Sequence, residues 1–143
     1  MKSYWMNINE GLGTMDLREV DLPMPGAGQV LVKLHAAALN RGELIVGHGL
    51  LGKGGSKPAG MEGAGQIAQL GSDTGAWQLG DRVMGRCPGA FAEYALMDVR
   101  EIMRVPDNLS LEQAAAIPLT FLVTYDLLAV SYTHLTLPTS DLV

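Results

Sequence analysis

The sequence has little of several features that would direct a chain to particular partners. It contains a single cysteine, Cys87, which excludes an internal disulfide and favours a reducing compartment. It has no block of basic residues and a net charge of −5, so neither nucleic acid nor an anionic membrane is expected as a partner. No apolar run approaches the ~20 residues of a membrane span. No apolar stretch follows Lys2, so no signal peptide is predicted and a cytoplasmic location is expected.

Apolar residues and glycines are plentiful by contrast. Apolar residues make up 48% of the 143-residue chain, enough for a hydrophobic core, and the length fits one domain. The chain holds 18 glycines, above the usual frequency of about 7%. Many glycines favour turns and bulges between short strands over a helical bundle.

The hydrophobic pattern predicts several short strands and one late helix. The clearest strand is 29–38, where Val30, Val32 and Leu34 alternate with their neighbours. A short helical turn is predicted at 40–46. Residues 47–60 carry six glycines and Pro58, which predicts a loop without a core of its own. The other predicted strands are 3–9, 14–20, 65–70, 82–85 and 90–97.

The late helix has a recognisable start and an interruption. Ser110 and Gln113 have the spacing of a capping box, and Glu112 suits the positive end of a helix. Pro118 is predicted to interrupt this helix. Short strands with one late helix predict a mainly β fold with short helices, closed into a partly open β-barrel.

Four short motifs follow one another along the chain. They are Leu39-Asn40-Arg41, Gly60-Met61-Glu62-Gly63-Ala64-Gly65, Gly80-Asp81-Arg82-Val83 and Ala114-Ala115-Ala116-Ile117-Pro118. In this order they resemble, over residues 1–128, the N-terminal GroES-like domain of the medium-chain dehydrogenase/reductases. The resemblance implies a GroES-like catalytic domain over 1–116 and, over 117–128, the start of a crossover into a Rossmann cofactor domain.

The zinc ligands of that superfamily's alcohol dehydrogenases have no counterparts here. Asn40 and Arg41 occupy the place of a cysteine ligand, and Met61 the place of the histidine before Glu62. The structural zinc site of those relatives needs four cysteines. We therefore expect no bound metal. The chain resembles the zinc-independent quinone oxidoreductase branch.

The resemblance also supplies candidate site residues. It places Asn40 at the cleft beside nicotinamide and substrate, where an amide can donate to an oxygen that gains negative charge. The alternative is a strand-end Asn that bonds its own backbone in a turn. Arg41 is a candidate for a carbonyl or a cofactor phosphate, or a solvated side chain.

Two threonines and a histidine complete the candidates. The resemblance places Thr120 and Thr124 along the nicotinamide, where a hydroxyl can bond the carboxamide. The alternative is a helical threonine bonded to a backbone carbonyl. His48 lies in a loop that matches the substrate entrance of relatives, and it is a candidate proton donor or an exposed side chain.

Other residues are expected to be structural. Glu62 is expected to be buried and bonded to backbone amides, whereas Glu43 is expected at the surface. Gly63 to Ala68 fits the dinucleotide fingerprint, but a loop precedes it and Gly71 follows too soon for a helix, so we reject that reading. Nothing suggests a lowered pKa for Cys87.

The last residues look foreign to the rest of the chain. Residues 130–139 match one reading frame of a transposon-end sequencing adapter, and the family resemblance ceases at Leu128. We therefore expect 129–143 to be an artefactual, loosely packed tail and the natural protein to be longer.

The expected activity follows from the resemblance. It implies hydride transfer from NADPH to a quinone or an α,β-unsaturated carbonyl by the full-length protein, expected to be a homodimer. The fragment is expected to be inactive, with apolar surface exposed near 117–128. The alternatives are an enoyl or alkenal reductase of the same superfamily and a non-catalytic GroES-like binding module.

Overall fold

The computed structural model of the protein describes residues 1–9, 12–44 and 55–131. The strands are β1 (Lys2–Asn9), β2 (Leu12–Glu19), β3 (Gln29–Ala37), β4 (Gly55–Pro58), β5 (Glu62–Leu70), β6 (Arg82–Arg86), β7 (Tyr94–Asp98) and β8 (Ile102–Arg104). The helices are α1 (Arg41–Leu44), α2 (Leu111–Ala115) and α3 (Pro118–Tyr125), and a π-helical segment, Asp126–Ser131, follows α3. Within these ranges no helix is both long enough and apolar enough to cross a membrane.

The strands form two antiparallel sheets. One has the order β2-β1-β4, and the other has the order β7-β3-β5-β6-β8. A bridge between Ser3 and Ala92 connects them, and the Tyr4 amide donates to the Phe91 carbonyl at 2.8 Å. The sheets curl into a partly open barrel, and the predicted mainly β architecture with short helices is confirmed.

The largest cluster of core residues lies on the five-stranded sheet. Val30 and Val32 of β3 pack there with Ile67, Val83 and Met97 from the neighbouring strands. These five side chains are at most 2% exposed. Val30 and Val32 thus share a buried face, as the alternation predicts, but Leu31 between them is buried as well, at 1% exposed.

Most predicted elements are present, with four corrections. Residues 55–58 form β4 along the free edge of β1, because backbone pairing there needs no hydrophobic pattern. Strand β5 begins at Glu62 rather than at residue 65, and β7 begins at Tyr94 rather than at residue 90. Strand β8, which was not predicted, is three residues long and pairs with β6.

The helical region forms as its end signals predict. The Ser110 hydroxyl accepts from the Gln113 amide at 3.2 Å, and the Gln113 side chain accepts from the Ser110 amide at 3.0 Å. This is the predicted capping box of α2. Pro118 occupies the first turn of α3, where its missing N–H costs nothing, so the proline separates two helices.

The rejected dinucleotide fingerprint lies inside a strand. Gly63 and Gly65 belong to β5, which pairs with β3 on one side and β6 on the other. A Cβ at Gly65 would lie 2.0 Å from the Lys33 carbonyl oxygen, so this glycine permits close backbone packing. The rejection is therefore correct: no helix begins there.

Candidate functional site

Three polar residues from different elements meet where β3 ends. Asn40 follows β3, Glu43 lies on α1 and Glu62 is the first residue of β5. The Asn40 Nδ2 atom donates to Glu62 Oε1 at 2.9 Å, and the Asn40 amide donates to Glu43 Oε2 at 3.3 Å. Asn40 thus connects two carboxyl groups that the sequence separates by 19 positions.

Glu62 is buried, and both of its carboxyl oxygens accept hydrogen bonds. Its side chain is 1% exposed, and Oε2 accepts from the Leu119 amide at 2.7 Å. No side chain of α3 itself caps that helix, so the Glu62 carboxylate satisfies a free amide and lies at the positive end of the helix. The prediction that Glu62 is buried and bonded to a backbone amide is confirmed.

Glu43 is also buried, so its predicted surface position is wrong. It is 5% exposed, and its buried Oε1 atom has no hydrogen-bond partner in the part of the chain that the structure describes. Burial raises the pKa of the Glu43 carboxyl, and the negative charge of Glu62 raises it further.

A sequence signal for the position of Glu43 exists. Asn40 and Glu43 have the spacing of a capping box, in which the third helical residue bonds back to the amide of the N-cap residue. The structure contains that bond and, in addition, a Glu43 amide that donates to the Asn40 carbonyl at 3.0 Å.

A cavity of about 200 Å³ adjoins the buried carboxyl of Glu43. Lys57 of β4 lies on the same wall and acts on Glu43 through its charge. The apolar part of the lining consists of Met6, Pro58, Ala59, Met61, Pro88 and Phe91. The cavity therefore suits a mainly apolar molecule with one polar group.

The remaining candidates at this end differ in their surroundings. Asn40 is half-buried, and its amide is oriented by Glu62 rather than by a turn through its own backbone. Arg41 is exposed and is not brought onto the wall of the cavity. Cys87 is fully buried, and burial raises the pKa of its thiol to about 12.

The two threonines lie on the exposed side of α3. The Thr124 hydroxyl donates to the Thr120 carbonyl at 2.8 Å, which is the backbone bond weighed as the alternative. A hydroxyl that has donated its hydrogen still accepts through its lone pairs. Both side chains are exposed and can reach a ligand from outside this chain.

Two predictions fall on parts of the chain outside the described residues. His48 and its loop lie in the interval 45–54, and most of the proposed artefactual tail lies in 132–143. Within the described ranges, no three His, Cys, Asp or Glu side chains are grouped closely enough to hold a metal ion.

The alcohol dehydrogenase GroES-like domain family matches residues 26–107, more than half of the chain. The chain therefore belongs to this family, and its structural neighbours place it in the medium-chain dehydrogenase/reductase superfamily of oxidoreductases. Among curated proteins, the highly reducing polyketide synthase claI of Penicillium crustosum is 37% identical over 94 residues. That match covers 66% of this chain and 4% of the synthase.

Solved structures of relatives have the same fold. Mycobacterial Rv1454c, solved in complex with NADPH, is 26% identical with a TM-score of 0.81 and covers 92% of this chain. A quinone oxidoreductase of Pseudomonas syringae pv. Tomato DC3000 is 26% identical with a TM-score of 0.76 over 92% of this chain. The chain spans 42% of each of those two proteins.

Proposed function

We propose that this chain is the acceptor-binding part of an NADPH-dependent oxidoreductase that transfers hydride, without zinc, to a quinone or an α,β-unsaturated carbonyl. The carrying observation is the hydrogen-bonded pair of Asn40 and Glu62 beside an apolar cavity, with Met61 on the cavity wall. Neither an amide nor a thioether is a usual zinc ligand, so this end of β3 suits direct hydride transfer better than metal catalysis.

Asn40 is proposed to contact the reacting oxygen. Its Nδ2 atom carries two hydrogens, and the bond to Glu62 Oε1 uses only one of them. Because Glu62 fixes the orientation of the amide, this second hydrogen is already positioned before an acceptor binds. It can donate to the acceptor oxygen, which becomes more negative as hydride arrives, and a proton then completes the quinol or the saturated carbonyl.

The cofactor is proposed to contact the outer face of α3. The exposed hydroxyl of Thr124 fits the nicotinamide carboxamide as a hydrogen-bond acceptor, since its own hydrogen is used on Thr120. The exposed Arg41 suits a phosphate. NADPH supplies the hydride when bound.

The same proposal extends to the rest of the protein. We place the acceptor-binding domain at 1–116 and the start of the crossover to a cofactor domain at 117–128. That second domain holds most of the dinucleotide, in a cytoplasmic homodimer. His48, at the entrance of the cleft in this proposal, is a second candidate proton donor.

Resequencing of the locus across codon 128 tests the proposal first. We expect the frame to continue into a glycine-rich strand, turn and helix. The longer protein should then oxidise NADPH with tetramethylbenzoquinone or crotonaldehyde, while the 143-residue chain should not. A stop codon after Val143, or turnover by the 143-residue chain alone, contradicts the proposal. The ratio of the two acceptor rates separates a quinone reductase from an enal reductase.

Substitution of Asn40 tests its role in the longer protein. We expect Asn40→Ala to lower kcat about tenfold or more with a smaller change in KM, because the lost donor acts mainly on developing charge. Asn108→Ala is the matched control, since Asn108 is exposed and makes no side-chain bond among the described residues. An unchanged kcat for Asn40→Ala excludes this role.

A further inference from the structure

The cavity beside Glu43 contains an unexplained polar atom. Only 5% of the Glu43 surface is exposed, and its Oε1 atom has no hydrogen-bond partner among the described residues. A buried polar atom without a partner is costly to the folded state, so such atoms commonly mark a place where a ligand or water binds. Glu43 lines the cavity, whose other walls are mainly apolar.

Glu43 has an oxygen that is free to carry a proton, whereas both oxygens of Glu62 accept hydrogen bonds. Glu62 accepts from Asn40 Nδ2 and from the Leu119 amide. Glu43 accepts from the Asn40 amide through Oε2 at 3.3 Å, and its Oε1 atom has no partner among the described residues. Burial and the nearby charge of Glu62 raise the pKa of Glu43, so its carboxyl group binds a proton more tightly than an exposed one, and Oε1 is the oxygen available to carry it.

A protonated Oε1 is a hydrogen-bond donor. Lys57, on the same cavity wall, is a second donor and has no ion pair among the described residues. Two donors suit a ligand that carries an acceptor oxygen, and the mainly apolar walls favour a ligand without a charge of its own. An apolar cavity of ~150 Å³ holds benzene, so about 200 Å³ has room for one six-membered ring with a short substituent.

We propose that this cavity binds a small, uncharged, mainly apolar carbonyl compound, whose oxygen accepts a hydrogen bond from the carboxylic acid of Glu43. The inference deepens the proposed function, since it assigns the acceptor's ring to this cavity and adds Glu43 as a binding residue. It does not require the cofactor.

Binding of acetophenone to the 143-residue chain tests the inference. Ethylbenzene is the matched probe, because it has the same skeleton with CH₂ in place of the carbonyl group. With ¹³C-labelled methionine methyl groups, Met6 and Met61 report on the cavity, and the 71%-exposed Met24 is the reference. We expect shifts of Met6 and Met61 alone, with acetophenone bound roughly tenfold more tightly than ethylbenzene, as one hydrogen bond predicts.

Variants of Glu43 show whether its side chain donates a hydrogen bond to the ligand or only forms part of the cavity wall. Glu43→Leu should abolish the preference for acetophenone, whereas Glu43→Gln, which donates at every pH, should keep it. In the unmodified chain acetophenone binding should weaken as pH rises and Glu43 loses its proton, and in Glu43→Gln it should not. The other ionisable groups that interact electrostatically with Glu43 are Glu62, Lys57 and Cys87, and they are present in both proteins.

Each outcome decides the inference. Equal affinity for the two probes, no shift of Met6 or Met61, or the same pH slope in Glu43→Gln overturns it. If Glu43→Leu loses its dispersed methyl spectrum and is unfolded, the pH comparison with Glu43→Gln decides alone. The binding experiment contains no NADPH, so its result does not depend on whether the longer protein transfers hydride. A failure of acetophenone binding likewise leaves the test of hydride transfer in the longer protein open.

Discussion

At the scale of single residues, two buried glutamates have opposite roles. Glu62 connects the end of β3 to the start of α3 through two hydrogen bonds. Glu43 lies beside it, and one of its oxygens has no partner within the described ranges. The first residue therefore stabilises the fold, and the second retains a bonding capacity that the fold does not use.

Replacement of Glu62 should destabilise the chain strongly. Glu62→Ala leaves the Asn40 side chain and the Leu119 amide without their acceptor and removes the negative charge at the start of α3. We expect a loss of about 2–4 kcal/mol in the free energy of unfolding, measured with urea. Glu101→Ala is the control, because its ion pair with Arg86 is exposed, and it should change stability by less than about 1 kcal/mol. A small effect of Glu62→Ala refutes the structural role.

Glu43 should make stability depend on pH in a defined direction. Its pKa in the folded chain is raised above the ordinary value of 4.5, so the folded state binds the proton more tightly than the unfolded state. The stabilisation of the folded state that comes from this tighter proton binding is fully present below pH 4.5 and is lost as pH rises through the pKa of Glu43 in the folded chain. Glutamine does not titrate, so between pH 4.5 and the folded pKa of Glu43 the Glu43→Gln variant should become more stable relative to the unmodified chain. Above the folded pKa the difference in the free energy of unfolding between the two proteins should stay constant. Urea titrations of both proteins from pH 4 to 8 measure the difference, and a flat difference contradicts the assignment.

At the scale of elements, the sheet that carries the site depends on close packing between β3 and β5. The register shifts between Leu34 and Ala36, next to the point where Gly65 faces the backbone of β3. This irregularity lies just before the end of β3 and so sets the position of Asn40. A change here should affect both stability and the site.

Gly65→Ala should be costly for this reason. The new methyl group would lie 2.0 Å from the Lys33 carbonyl oxygen, which forces a backbone shift. We expect a loss of about 1–3 kcal/mol or more in the free energy of unfolding. Gly26→Ala is the matched control, since its Cβ would meet Gln29 Oε1 at an ordinary 3.4 Å. Thermal unfolding compares the variants, and equal midpoints show that β3 and β5 are not tightly packed here.

At the scale of the whole molecule, α3 and the residues that follow it expose many apolar side chains. The predicted exposure near 117–128 is confirmed, and the exposed fractions reach 63% for Phe121 and 71% for Leu128. Apolar patches of this kind mark an interaction surface or promote aggregation. The large apolar side chains exposed in this segment are Phe121, Leu122, Val123, Tyr125, Leu127 and Leu128.

This surface should control the solubility of the chain. We expect a Phe121→Gln, Tyr125→Gln double variant to bind several-fold less of an apolar dye and to associate less in sedimentation, with stability changed by about 0.5 kcal/mol or less. The control is a Leu22→Gln, Leu79→Gln pair, because both leucines are exposed outside this segment. If the control pair lowers dye binding equally, the apolar side chains of α3 bind no more dye than exposed leucines elsewhere in the chain.

The sequence by itself determined the elements whose signals are local. Alternation placed β3, the Ser110 and Gln113 spacing placed the start of α2, and Pro118 divided α2 from α3. The ordered motifs were sufficient for the family, and the small, apolar run around Glu62 was sufficient to predict its burial.

Only the tertiary structure decided the features that depend on contacts between residues far apart in the sequence. Strand β4 has no pattern of its own and exists because β1 offers a free edge. Glu43 is buried where α1 meets Glu62, which lies 19 positions further along the chain, and the cavity beside it is lined by Met6 and Phe91, which the sequence separates by 85 positions. Local patterns reflect the periodicity of one element, whereas burial depends on which elements the fold packs together.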